Sequence, residues 1–341
     1  MARFGFFRKT ERTVIARGES VFAALSPFRV EPRFVARVWG STDLKPWYDM
    51  PAGTGAIGEV WLTGDDCVIA TGPHAGETLG ALFQTSSEAL LGKNAPVSGS
   101  PLLIKVIFAR EKLSVQVHPN DSMARKLGQP RGKTECWFAL SAEPGAQVAA
   151  GLKSGVTVED VRKGIQDGTL EKSLQMLPIQ ANDMVYVDAG TVHAIWPGSI
   201  LLETQQNSDI TYRMYDYGRP RELHIEKSLE AMRLVTQSGK VKPRVLNDRT
   251  VLVDEGYFCV ERILIEVSRS SASMTGTDEE FPGLSYLFAA AGTARLTSPG
   301  FGDLDLPARG IVAVPASSPV FAVRDLGGLD LIRISPRWPK S

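Results

Sequence analysis

Apolar positions along the chain fall into short runs, most of them rich in β-branched residues and closed by turn residues. "EVWLTG", "LLIKVIFA", "LSVQVH", "ECWFAL", "DMVYVDAG", "SILLET" and "ITYRMYDY" come first. "YFCVERILIEV", "LSYLFAAAG", "TARLTS", "GIVAVPA" and "LDLIRIS" continue the pattern towards the C-terminus. Many short strands, punctuated by 32 glycines and 21 prolines, predict an all-β sandwich or barrel core. Helical spacing interrupts it at 158–165, 170–176 and 227–234, each segment expected to pack an amphipathic face on the sheet.

Two stretches share a shape: "DMVYVDAGTVHAI" from Asp183 and "GIVAVPASSPVFAV" from Gly310. Each runs turn, short strand, small-residue turn, return strand, and the alignment sets His193 opposite Val320. The architecture is therefore expected to repeat, with a metal-binding position only in the first copy. The polar, proline-containing segment 236–250 is the expected linker.

Within "LSVQVHPN", Gln116 and His118 are two apart, so a strand projects both from one face. In "GKTECWF", Lys133 and Glu135 share a face and Cys136 takes the other. Glu135 is unusual there, because an unpaired carboxylate in an apolar strand is costly unless it pairs or binds metal. His193 follows a glycine turn in "GTVHAI". Two imidazoles, one carboxylate and one carboxamide make a four-ligand set for a borderline divalent ion such as Zn²⁺. His74 and His224 lack such company and are read as surface or structural residues.

Charge narrows the partners. Formal net charge is zero, with 38 basic and 38 acidic side chains, so nucleic acid and anionic membranes are not expected. An anionic ligand would have to be met by a local cluster of cations. No apolar run approaches a membrane span, and the N-terminal "MARFGFFRKTERT" lacks a signal-peptide pattern. Cys67, Cys136 and Cys259 are odd in number and widely spaced, which suits a reducing, cytoplasmic setting.

"VQVHPND", "GKTECW", "GTVHAI" and "LETQQNSDITYRMYDYGRPRELH" together resemble the type I mannose-6-phosphate isomerases, which are zinc cupins. "RVWG" (37–40) and "IGEVW" (57–61) also look like that family's N-terminal signatures. The resemblance is strong over 25–235 and fits the shorter bacterial form. It implies a mainly β chain of two cupin-type jelly-roll barrels with short helices. A catalytic metal-binding cupin would occupy 1–240, and a cupin-like domain without metal ligands 241–341.

The resemblance places one zinc ion on Gln116, His118, Glu135 and His193, the four reached from spacing. It puts Arg213, Lys133 and Glu203 in catalytic roles, and Ser114, Lys105 and Arg219 on the phosphate side. The implied reaction interconverts mannose 6-phosphate and fructose 6-phosphate through a cis-enediol(ate), in a monomer or small homo-oligomer. One departure is that the turn before His193 reads Asp188-Ala-Gly where the family has Pro-x-Gly. A non-haem iron oxygenase and a non-catalytic sugar-phosphate-binding cupin are the competing readings. The fourth, amide ligand opposes the first, and retention of every site residue opposes the second.

Overall fold

A computed structural model of the chain describes residues 24–93, 95, 99–263, 272–274, 277–278 and 281–338. Among these, antiparallel sheet dominates and helices are few and short, as the run pattern predicts. Three large sheets lie in layers. The middle one has seven strands in the order Gly239–Lys240, Met184–Val187, Glu135–Ala142, Ser199–Gln206, Leu102–Phe108, Ile57–Trp61 and Arg33–Ser41. Facing it are five strands, Tyr212–Tyr215, Val115–Val117, His193–Ile195, Gln147–Leu152 and Leu174–Pro178.

Strand parity divides the labour of the middle sheet. One set of side chains, including Ile104, Val106, Cys136, Phe138 and Leu202, joins a core with Phe258, Val260, Tyr286, Phe288, Ile332 and Ile334 of the C-terminal sheet. The alternate set, including Ile107, Trp137, Ala139, Val185 and Leu201, packs with Val148, Ala150 and Ile195 of the five-stranded sheet. Covered on both faces, Leu102–Phe108 is buried at every position, and its single charge, Lys105, points between the first two sheets. The outer face of the five-stranded sheet is closed by the helices Val158–Gln166 and Ile225–Ala231 through Val161, Ile165 and Ala231.

The C-terminal sheet bends on two long strands, Ser285–Ser298 and Phe321–Pro336, whose pairing shifts register around residues 289–294. Its own interior is filled by Leu287, Leu296, Leu306, Val312, Val314 and Leu331. The strands Met184–Val187 and Ile311–Val314 begin the two similar stretches, but where His193 is buried, Val320 is 58% exposed. The boundary near 240 is stitched at two points. Phe28–Val30 pairs with Ile311–Val314, inside the C-terminal sheet. The expected linker supplies edge strands to both sides: Gly239–Lys240 pairs with Met184–Val187, and Arg244–Val245 with Arg249–Glu255.

Two expected helices need correction. Residues 170–176 form a 3₁₀ turn, Leu170–Ser173, and then a strand, Leu174–Pro178, which completes the edge beside Gln147–Leu152. Ladder hydrogen bonds outweigh the weak helical preference of so short a segment. The last helix spans Ile225–Ala231, not 227–234. It ends because the Arg233 N–H donates to the Gly190 carbonyl, 2.8 Å away, drawing the chain onto the turn before His193. The helix Leu79–Leu91 was not expected; Thr78 caps it, and Leu82, Phe83 and Leu90 anchor it in the shared core.

The Phe138 ring, 2% exposed, fills the layer between the middle and C-terminal sheets. Phe138→Ala is expected to lower unfolding free energy by about 3–5 kcal/mol. Urea unfolding followed by circular dichroism measures it.

Candidate metal centre and substrate cleft

The five-stranded sheet sets the first part of the site by register. Gln116 lies directly opposite His193 on one neighbouring strand and opposite Arg213 on the other. Directly paired residues project to the same face, so all three side chains meet across the strands. Glu135 arrives from the middle sheet and His118 from the end of its own strand. The ligating atoms of His118, Glu135 and His193 lie within 4.8 Å of one another, and all three residues are buried.

Each imidazole is oriented from behind. His118 Nδ1 donates to the Ile210 carbonyl at 2.8 Å, and His193 Nδ1 to the Thr191 carbonyl at 2.9 Å. With that tautomer both Nε2 lone pairs face Glu135, at 3.5 and 3.4 Å from its two oxygens. Burial first, then the Lys133 ammonium, hold His118 well below its ordinary pKa, and burial lowers His193 to about 4. Both rings are thus neutral and able to ligate.

The donor set fits a divalent cation. Neither Glu135 oxygen accepts a hydrogen bond although both are buried, an expensive arrangement unless a cation compensates. Lys133 provides one, its Nζ 3.0 Å from Glu135 Oε2 and 3.0 Å from His118 Nε2. Gln116 Nε2 is 3.2 Å from His193 Nε2. A half-turn of that amide exchanges nitrogen for oxygen and presents a neutral oxygen donor beside the imidazole.

Lys133 is delivered by a tight loop. A Cβ on Gly132 would meet the Pro119 carbonyl oxygen and the Asn120 carbonyl carbon at 2.5 Å, so only glycine lets the two backbones touch. The turn before His193 is fixed differently from the family pattern. Asp188 accepts from Thr191 Oγ1 at 2.8 Å and pairs with Arg233. Two side-chain anchors thereby hold a turn that proline would otherwise stiffen.

A cleft of about 340 Å³ opens between the sheets, lined by Ser114, Gln116, Lys133, Glu135, Glu203 and Arg213, among others. Five cationic and four acidic side chains line it. Along the middle sheet runs a chain of charges. Glu203 pairs with Lys105 at 2.8 Å and accepts from Trp137 Nε1 at 3.3 Å. Lys105 reaches Glu59 at 3.5 Å, and Glu59 takes Arg37 at 2.8 Å and Trp61 Nε1 at 2.7 Å. Gly58 makes the last approach feasible, since a Cβ there would strike Arg37 Cβ at 2.5 Å.

Burial and the neighbouring Glu135 raise the pKa of Glu203, against the opposing pull of Lys105 and Lys133. For Lys105, burial alone would favour the neutral amine, but Glu203 and Glu59 overcome it and hold the pKa above its ordinary value. Lys105 is therefore a charge already claimed by two carboxylates. Arg213 makes no ion pair with Asp209 or Asp216; its NH1 donates to the Glu222 carbonyl at 2.8 Å and its Nε is buried without a partner.

Arg219 is the candidate that lies elsewhere. It does not line the cleft, and its NH2 donates to the Lys112 carbonyl at 2.6 Å while meeting Asp216 Oδ1 at 3.0 Å. Arg221, two residues on, lines the cleft instead. Lys112 is likewise outside, paired with Glu171 at 2.8 Å. His74 pairs with Glu77 on the surface, and His224 Nδ1 accepts the Arg213 N–H at 3.2 Å. Neither joins the buried histidine pair. Spacing does not reveal Glu59, Trp61, Trp137 or Arg221, although Glu59 sits in an apolar strand just as Glu135 does.

A β-protein with a buried two-histidine, one-carboxylate group opening onto a polar cleft has the donor set of a metal-dependent enzyme. The family model for the type I phosphomannose isomerase catalytic domain matches residues 28–147. A mannose-6-phosphate isomerase of Streptococcus mutans is 36% identical over 250 residues, 69% of this chain and 77% of its own length. The mannose-6-phosphate isomerase ManA of Bacillus subtilis is 36% identical over 253 residues, 69% of this chain and 78% of its own. A crystal structure of a Bacillus subtilis mannose 6-phosphate isomerase superposes with TM-score 0.80 at 28% identity, covering 91% of this chain and 99% of that one. The chain is a member of the type I mannose-6-phosphate isomerase family.

Asp188→Ala removes both anchors of the turn that carries His193. Unfolding free energy is expected to fall by about 1–3 kcal/mol, mainly the cost of stranding the buried Thr191 hydroxyl. Thermal melts of the metal-free protein read the loss without interference from metal binding.

Proposed function

We propose that the chain interconverts mannose 6-phosphate and fructose 6-phosphate, using zinc held by Gln116, His118, Glu135 and His193. The observation that carries this reading is the buried Glu135 carboxylate, set between two neutral, oriented imidazoles and facing a cleft of sugar-phosphate size. The nitrogen and oxygen donors suit a borderline dication. When bound, it supplies Lewis acidity and a template for the sugar oxygens. The catalytic unit is assigned to 1–240, and the apolar interior of 241–341 suits a supporting role.

The side chains then divide the chemistry of an aldose–ketose exchange, in which a proton leaves C2 and returns at C1. Glu203, with its raised pKa, is poised to take and return that proton. Lys105 and Trp137 hold its carboxylate in place. Lys133 lies beside Glu135 and handles hydroxyl protons as the pyranose ring opens. Arg213 adds fixed positive charge where the enediolate oxygen becomes negative, and Ser114 faces the phosphate end. A neutral amide at Gln116 keeps the site's net positive charge, which a second carboxylate would cancel. The amide donor and the cationic cleft both disfavour iron–oxygen chemistry, which needs open coordination positions.

Two measurements test the reading. In a coupled assay, chelation is expected to abolish mannose 6-phosphate turnover and zinc to restore it; activity indifferent to chelators overturns the metal assignment. Glu203→Gln is expected to cut kcat by about 10²–10⁴-fold while metal analysis still finds one ion per chain. Loss of the ion in that variant would make Glu203 a structural support.

A further inference from the structure

We propose that Tyr257, from the C-terminal half, is a positioning residue for Lys133, acting through the Asp121 carboxylate on the loop that carries the lysine. The inference rests on the sugar-phosphate reading only for what Lys133 does; the placement of the loop is independent of it. Tyr257 lies in the turn between the strands Arg249–Glu255 and Phe258–Ile263. Those strands are rooted in the shared core by Leu252, Val253, Phe258 and Val260, and the Tyr257 carbonyl takes the Arg337 N–H at 2.8 Å. The hydroxyl therefore stands on a fixed base. It donates to Asp121 Oδ2 at 3.1 Å, across 136 residues of sequence. Burial, then the Asp121 carboxylate, push its pKa up to about 12, so it remains a donor well above neutral pH.

Asp121 passes that contact to both flanks of Lys133. Its Oδ1 accepts the Gly132 N–H at 2.8 Å and the Gln206 side-chain amide at 3.0 Å, and Gln206 Oε1 in turn accepts the Thr134 N–H at 2.9 Å. The amides before and after Lys133 thus end on one carboxylate, directly or through one side chain. The Lys133 N–H itself donates to the Pro119 carbonyl at 3.0 Å. With its backbone held at three successive amides, the lysine projects into the cleft, where Nζ meets Glu135 and His118 at 3.0 Å. Asp121 Oδ2 has a cation nearby, Arg125 at 3.9 Å, but on an exposed side chain where the attraction is screened. Tyr257 is the closer and better-rooted partner. A proton-handling group tolerates little displacement, since about 1 Å can cost on the order of 10²-fold in rate.

The test compares wild type, Tyr257→Phe, Lys133→Met and the double variant as full-length, metal-loaded proteins. Tyr257→Phe keeps the ring and its packing and removes one hydroxyl. Hydrogen exchange at the amides of 130–135 is expected to speed up by roughly 10-fold, the weight of one hydrogen bond to a charged group. Exchange elsewhere and metal content should stay as in wild type. In the coupled assay kcat for mannose 6-phosphate should fall by roughly 10-fold while KM holds. The double variant should be no slower than Lys133→Met alone. Unchanged exchange at 130–135 overturns the assignment, as does a rise spread evenly over the middle sheet, which would make Tyr257 a general stabiliser. A full further loss of kcat in the Lys133→Met background overturns the route through the lysine. Faster exchange in the loop of a protein whose wild type turns over no mannose 6-phosphate would overturn the proposed reaction and leave the positioning contact standing.

Discussion

The interaction on which the rest depends is the contact of the Glu135 carboxylate with cationic company. It is 1% exposed and neither oxygen accepts a hydrogen bond, so its burial is costly unless positive charge lies close by. Lys133 at 3.0 Å answers that demand, and the two neutral imidazoles offer lone pairs rather than protons. A buried carboxylate and two imidazole lone pairs thus converge as a donor set that fits a dication. The surrounding structure can be understood as what holds these four groups at that separation against their mutual desolvation.

The layering supplies the rigidity. Glu135, Lys105 and Glu203 stand on one face of a sheet whose other face is locked into the C-terminal half by Phe138, Val106 and Leu202. Buried charges cost several kcal/mol each unless their partners stay fixed, and a sheet free to twist would not keep the Lys105–Glu203 and Glu59–Arg37 contacts. Among the described residues the C-terminal half supports that sheet by apolar packing and by the Tyr257 hydroxyl, which donates to Asp121 Oδ2 at 3.1 Å. Its strand Phe28–Val30, borrowed from the other end of the chain, ties the two halves so that neither slides on the other.

Much of this was legible because strand periodicity is exact over short distances. The spacing of Gln116 and His118, and of Lys133 and Glu135, gives their shared faces directly, and an acid in "ECWF" announces that something must compensate it. Register across strands is not local, so nothing in the sequence alone says that Arg213 and His193 flank Gln116 from opposite sides. Glu59 in "IGEVW" carries the same signal as Glu135, a carboxylate among apolar strand residues, but its partners come from three strands. Residues 170–176 misled for the converse reason. Leucines spaced for a helix served a sheet edge, where the ladder with Gln147–Leu152 decided the outcome.

Arg219 and Arg221 show where such reading stops. Both precede the helix in "GRPREL", both are cations, and composition treats them alike. The buried Asp216 separates them. It draws Arg219 inward, where the Lys112 carbonyl takes NH2, and grips Arg221 by one edge only. A single carboxylate thereby sorts two neighbouring guanidiniums into a brace and a free edge. Coulomb attraction alone would not distinguish them, since both lie within 3.0 Å of the same acid. Direction does, because a fork fixes where the unused N–H groups point. The same logic of direction applies to Glu135, whose two oxygens each face an imidazole Nε2, at 3.5 and 3.4 Å.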